Sequence, residues 1–271
     1  MRFLFFLLIC SCITTGCFEA TEACLDIEAA NFDASADKSC CCTYPKLVMK
    51  CSHVYDTLTY LENEVYANDF GVFRLRNVVF YLCDFELTQN GITNTISDSI
   101  GFSVFGANAG DTTTNIITDD FLLIRRTTIE ESIGTFRQKG YFDGIKFRFG
   151  LSTDANKIIP TKAPTNHALK PQTENLWLNR TDGYVFAKVI VAADTSATAQ
   201  PDTLLFTAAD FPNTFFQQTG ASFFHKTGYD FKLTLQIDYK KLFEGVNWSA
   251  TLPERKVKIR DNFSNVFSVY Q

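Results

Sequence analysis

Phe231, Leu233, Leu235, Ile237 and Tyr239 alternate with Lys232, Thr234, Gln236 and Asp238. A two-residue apolar period puts one set on a buried face and the other in water, as a half-buried strand does and a helix does not. The same period recurs. Leu47, Met49, Cys51 and His53 alternate with Val48, Lys50 and Ser52, and Ile145, Phe147, Phe149 and Leu151 leave Lys146 and Arg148 outside. The run Phe73 to Leu87 is long, apolar on one face, and ends at Asn90-Gly91, a hairpin-turn signal. Tyr184 to Val191 reads as a more buried strand, and Tyr239 to Gly245 as one short helical turn. Strands separated by Gly, Asn and Asp clusters predict an all-β chain built as an antiparallel β-sandwich. Composition agrees: 27 of 271 residues are Phe, which suits pleated, half-buried surfaces.

The first residues read as an address. Met1-Arg2 precedes an unbroken apolar run from Phe3 to Ile9, followed by Thr14-Thr15-Gly16-Cys17. Residues 1–16 are therefore expected to be a signal peptide, lipobox-like, with Cys17 acylated as the mature N-terminus; a cleaved, soluble form is the alternative. The run falls short of the roughly 20 residues a spanning helix needs. Export implies an oxidising compartment. Of nine cysteines, Cys10 and Cys12 leave with the signal and Cys17 carries lipid. Cys24, Cys40, Cys41, Cys42, Cys51 and Cys83 remain, an even set suited to disulfides whose pairing the sequence leaves open. A zinc site is the weaker rival, because Cys40-Cys41-Cys42 lacks ligand spacing.

Residues 17–44 form an acidic, Cys-rich N-terminal segment ahead of a 45–271 sandwich domain. It resembles a short Cys-bounded module of Bacteroidetes secreted proteins. Asp26, Asn31, Asp33 and Asp37 offer oxygens for calcium; the other reading is that they cap turns by bonding their own backbone. The stretch from Ser152 to Asp182 has no period and reads as a long functional or disordered connection.

A net charge of -5 argues against nucleic-acid binding. No nucleophile elbow, phosphate loop, dinucleotide fingerprint or zinc-protease motif occurs, so the chain is not expected to be an enzyme. Its three histidines are His53, His167 and His225. Met49, Cys51 and His53 share one strand face and are donor types that copper accepts. The same face also reads as plain core. His167 sits in the long connection, and His225 follows Phe223-Phe224 at the entrance to a strand.

Five stretches in order resemble the MbnP family, the periplasmic copper-binding proteins of methanobactin-type copper uptake systems. They are Leu47 to His53, Phe73 to Asp84 with Tyr81-Leu-Cys-Asp84, and Gly140 to Leu151. Gly183-Tyr-Val-Phe186 and Phe223-Phe-His225-Lys-Thr-Gly228 complete the set. The resemblance implies a β-sandwich holding one copper ion, as a non-catalytic carrier or sequestering protein in the periplasm or at the outer membrane. It implies His53 and His225 as ligands, with His167 and Met49 as further donors, and Trp177 as a candidate for oxidative modification. It also implies a di-haem peroxidase of the MbnH type and a TonB-dependent transporter as partners. Two departures stand out: Arg180 takes the place of a second Trp, and Cys83 replaces a Ser. At metal–nitrogen distances of about 2 Å, imidazoles more than about 10 Å apart do not share an ion. The competing reading is a metal-free surface lipoprotein module that recognises protein or glycan. That reading expects scattered histidines and an exposed aromatic patch around Ser152 to Asp182.

Overall fold

The computed structural model describes residues 19–106, 108, 110–196 and 198–271. The apolar leader and Cys17 lie outside the described residues. Ten strands carry the fold: β1 (Lys46–Tyr55), β2 (Gly71–Gln89), β3 (Leu122–Ile124), β4 (Glu130–Thr135), β5 (Gly140–Phe149), β6 (Ala187–Ala192), β7 (Asp202–Phe206), β8 (Phe215–His225), β9 (Phe231–Asp238) and β10 (Phe267–Tyr270). The larger sheet runs β7-β6-β2-β5-β8, and the smaller runs β4-β1-β9-β10. One hydrophobic core joins them.

The expected sandwich is present, with one difference in direction. All ladders of the larger sheet are antiparallel, but β1 and β9 pair in parallel, Leu47 against Phe231 through Val54 against Asp238. Strand periodicity carries no direction, so the sequence could not reveal this. β2 is the spine. Five strands pair with it: β3, β5, β6, Glu64–Asn68 and Ile92–Thr95. Such a long strand must bend, and it does so at Asp84, whose φ of 52° lies in the left-handed region. Aspartate tolerates that region better than most residues. The Arg148 guanidinium holds the Asp84 carboxylate at 2.5 Å, where the β2–β5 register shifts.

The phenylalanines fill the space between layers. Phe149 lies 4.4 Å, centroid to centroid, from both Phe211 and Phe263, and Phe80 meets Phe149 and Phe267 at 5.5 and 5.8 Å. Burying each such ring is worth roughly 2–3 kcal/mol against leaving it in water. At the seam between β8 and β10, glutamine amides stand in for strand pairing. Gln218 bonds both the N–H and C=O of Val269, and Gln271 does the same to Phe224.

The stretch 152–182 is not a loose loop. Two single 3-10 turns, Ala155–Lys157 and Pro160–Lys162, bury Ala155 and Pro160, and Ile158, Ala163, Leu169 and Leu176 are buried along the rest. It lacks a period because it is held by single apolar anchors and by side chains bonding backbone. The Lys170 ammonium donates to the carbonyls of Thr161 and Ala163, and the Gln172 amide to those of His167, Ala168 and Lys170. No aromatic patch is exposed there; the exposed aromatics include Tyr141, Phe224 and Tyr229.

Besides the short helix α1 (Tyr239–Leu242), a second helix, α2 (Leu252–Asn262), was not expected. Its residues are charged nearly all round, and only Ile259 and Asn262 are buried, so it lacks an apolar stripe. Its start was legible: Thr251 and Glu254 form a capping box with proline in the first turn.

The N-terminal segment packs on the domain. Arg137 lies over the Tyr44 ring at 3.9 Å and reaches Asp26 and Glu28 at 3.1 and 3.2 Å. Disulfides join Cys24 to Cys42 and Cys40 to Cys41. Cys51 and Cys83, counted among the six cysteines suited to disulfides, are instead free thiols, each fixed on a strand of a different sheet. The four calcium candidates accept backbone N–H groups, two of them within local turns. Asp26 and Asp33 accept the N–H two residues on, Asp37 accepts from Thr21, and Asn31 accepts from Thr43.

Candidate metal centre

Three of the five motif stretches, those carrying Tyr81, Gly150 and Tyr184, meet at the 152–182 strap. Tyr81 donates to the carbonyl of Ala168 at 3.2 Å and Tyr184 to that of Leu169 at 2.8 Å, with the two rings edge to face. The Tyr81 carbonyl accepts from Gly150, and Phe186 lies where a side chain on Gly150 would stand. Asn156 accepts from the N–H of Tyr184. These residues fix the two carbonyls that immediately follow His167.

His167 therefore has a defined pose. Its Nδ1 accepts from the Leu169 N–H at 3.1 Å, so the proton of the neutral ring is assigned to Nε2, which donates to Asp119 Oδ1 at 2.8 Å. Phe102 and Phe121 meet the ring edge-on at 5.1 and 5.6 Å. The pair lines an open cavity of about 540 Å³, whose walls also carry Lys46, Asp98, Arg125 and Glu131. The Asp119 side chain keeps 34% of its exposure, so the pair is reachable from solvent.

The other two imidazoles are enclosed. His53 is buried: Nε2 meets the Thr128 carbonyl at 2.8 Å, which requires a proton there, and Nδ1 then accepts from the Tyr239 hydroxyl at 3.0 Å. Burial pushes its pKa down, towards the neutral ring this geometry needs. His225 is buried with both nitrogens directed at carbonyls, of Gln138 and Tyr229, and its ring stacks on Phe231 at 4.8 Å. It clasps the turn that opens β9.

The structure does not bring the four expected donors together. His225 lies against Phe231, which pairs with Leu47; His53 pairs with Ile237, six residues along both strands. At roughly 3.3 Å per residue that is about 20 Å, twice what one ion spans. Met49 lies between them on the core face, fully buried. Among the described residues no group of three His, Cys, Asp or Glu side chains is arranged to hold a metal. Trp177 packs over Phe105 at 6.2 Å, and its indole N–H is buried without a partner. Asp119 escaped the sequence reading; an acidic pair before Phe121-Leu-Leu-Ile124 is ordinary, and only the fold sets it against His167.

His53→Ala would strand the buried hydroxyl of Tyr239 and carbonyl of Thr128. A loss of about 2 kcal/mol is expected in denaturant unfolding, beyond what the same change costs at an exposed position.

The sequence model of the MbnP family matches residues 44–259. Among solved structures, MbnP from Methylosinus trichosporium aligns with a TM-score of 0.44 at 12% identity, covering 83% of this chain and 97% of that one. No curated protein matches the chain. The family match covers the strap and every strand of both sheets except β10, from Tyr44 to Ile259 within α2, and on that match the chain belongs to the MbnP family.

Proposed function

We propose that this protein is an exported, lipid-anchored copper carrier or sequestering protein of a methanobactin-type system, and that copper is taken at His167 and Asp119. Family membership supports the copper reading. The single observation that carries the location is that His167 is the imidazole on a solvent-open cavity wall, paired with a carboxylate. A bound ion replaces the proton between Nε2 and Oδ1. One imidazole and one carboxylate suit divalent copper, leaving its other positions to water or to an incoming ligand. Such an incomplete protein set favours exchange, as a carrier needs. A di-haem peroxidase and a TonB-dependent transporter are the partners this reading implies.

The test is a copper(II) titration of the mature protein. One equivalent is expected, lost in His167→Ala and in Asp119→Asn, and kept in His53→Ala and His225→Ala. Binding that survives His167→Ala but disappears in a folded His53→Ala or His225→Ala variant would overturn the location. No stoichiometric copper would overturn the function, and would favour a metal-free recognition module. Mass spectrometry of the peptide carrying Trp177 reads its oxidation separately.

A further inference from the structure

The Cys-rich segment holds chemistry that the His167 site does not use. Its two disulfides are unlike in what they do for the chain. Cys24–Cys42 spans a separation of 18 residues. In the chain-entropy view, closing a loop of that size stabilises by roughly 3 kcal/mol. Cys40–Cys41 joins neighbours, so it encloses no loop and restrains the unfolded chain hardly at all. Other bonds fix its place. The Cys40 N–H donates to Ala23 O at 3.0 Å, and Asn31 Nδ2 donates to Cys41 O at 2.8 Å. Asn31 Oδ1 accepts from Thr43, and Cys42 is tethered to Cys24. Opening Cys40–Cys41 leaves all of these intact, so two sulfurs would stay side by side on a held backbone. The pair is also accessible: Cys41 is exposed and Cys40 half-buried. The two free thiols are the opposite case. Cys83 is fully buried, and burial pushes the Cys51 thiol up to about 12; neither offers a thiolate near neutral pH.

We propose that Cys40–Cys41 is a redox-gated site for a soft, thiolate-seeking cation such as monovalent copper or silver. A dithiol donor of the thioredoxin class opens it: the Cys40–Cys41 bond breaks, two S–H groups form, and the donor's two thiols close into its own disulfide. The cation then binds both sulfurs as their two protons leave to solvent. Thiolate donors select monovalent copper, whereas the imidazole and carboxylate at His167 suit the divalent ion. The two sites thus differ in oxidation state, and this one stands without the His167 reading.

The experiment uses the mature full chain. Mild dithiol reduction, removed by anaerobic desalting, is followed by native thiol counting, alkylation and peptide mapping. Two reactive thiols are expected, at Cys40 and Cys41, with Cys24–Cys42 intact. Silver(I), and copper(I) in competition with a chromogenic chelator, should then bind at one ion per chain. That ion should be absent in the unreduced protein and in Cys40→Ser/Cys41→Ser, and retained in His167→Ala. The double serine variant should fold as wild type, since it loses no loop closure, and near-ultraviolet circular dichroism checks this. Reduction that opens Cys24–Cys42 first, or equal silver and copper(I) binding by reduced wild type and the double serine variant, would overturn the proposal.

Discussion

Gly150→Ala is expected to cost about 2–5 kcal/mol, a large share of the stability of a marginally stable domain. Gly150 has a φ of 84°, and a Cβ built there would lie 2.1 Å from the Phe186 ring. That ring cannot step aside. Phe186 is buried, its N–H donates to Phe206 and its carbonyl accepts from Tyr81. Overpacking of this kind costs about 1–3 kcal/mol, and left-handed backbone about 1–2 kcal/mol more for a residue with a Cβ. A double-mutant cycle separates the two. In a Phe186→Ala background the clash is gone, so Gly150→Ala should cost only the backbone part. Gly91→Ala is the control: φ is 77° with nothing within 4 Å, and a loss of about 1 kcal/mol is expected there. Equal losses at Gly150 in both backgrounds would show that Phe186 does not enforce the glycine. Because Gly150 bonds the Tyr81 carbonyl, and Tyr81 holds the strap, the same change should also loosen His167.

Strands were legible where one face is buried and the other wet. The alternation at Leu47–His53 and Phe231–Asp238 became β1 and β9, and Asn90-Gly91 became the turn after β2. What failed was whatever depends on partners distant in sequence. The parallel pairing of β1 with β9 joins segments some 180 residues apart. The strap is ordered by Tyr81, Tyr184 and Asn156 reaching carbonyls and amides, bonds that leave no hydrophobic period. Histidines were legible as rare residues, not as a cluster. In β1, His53 obeys the same two-residue period as Leu47 and Met49, and that period turns it into the core, where Thr128 and Tyr239 occupy its nitrogens. At the end of β8, the Phe-Phe-His motif serves as a clasp on two carbonyls. Histidine in a sequence motif serves backbone satisfaction as readily as ligation, and burial marks the first use at His53 and His225.

Asp120→Asn should remove a pH dependence of stability worth about 3 kcal/mol. Asp120 is buried, and its carboxyl is pushed up to about 6, first by burial and further by the neighbouring Asp84 and Asp119 carboxylates. The N–H groups of Phe85 and Asp84 pull the other way without prevailing. Between the unfolded value of 3.8 and about 6, the folded protein holds a proton that the unfolded chain has released. Stability therefore falls as pH rises through that window and recovers as pH drops. The full effect is some two pKa units, or about 3 kcal/mol. His53, with its pKa lowered by burial, works in the opposite sense, costing stability as pH falls below the ordinary imidazole value of 6.5. It is present in both proteins and cancels in their difference. The measurement is denaturant unfolding of wild type and Asp120→Asn from about pH 7.5 to about pH 4, with a chelator present so that no metal sits on Asp119. The amide keeps one acceptor for Phe85 and loses the bond to Asp84, a penalty that does not vary with pH. The difference between the two curves should thus be flat above the window and slope throughout it down to the lowest pH measured. Parallel curves would mean that Asp120 is charged in the folded protein at no cost, and that the neighbouring N–H groups outweigh its burial.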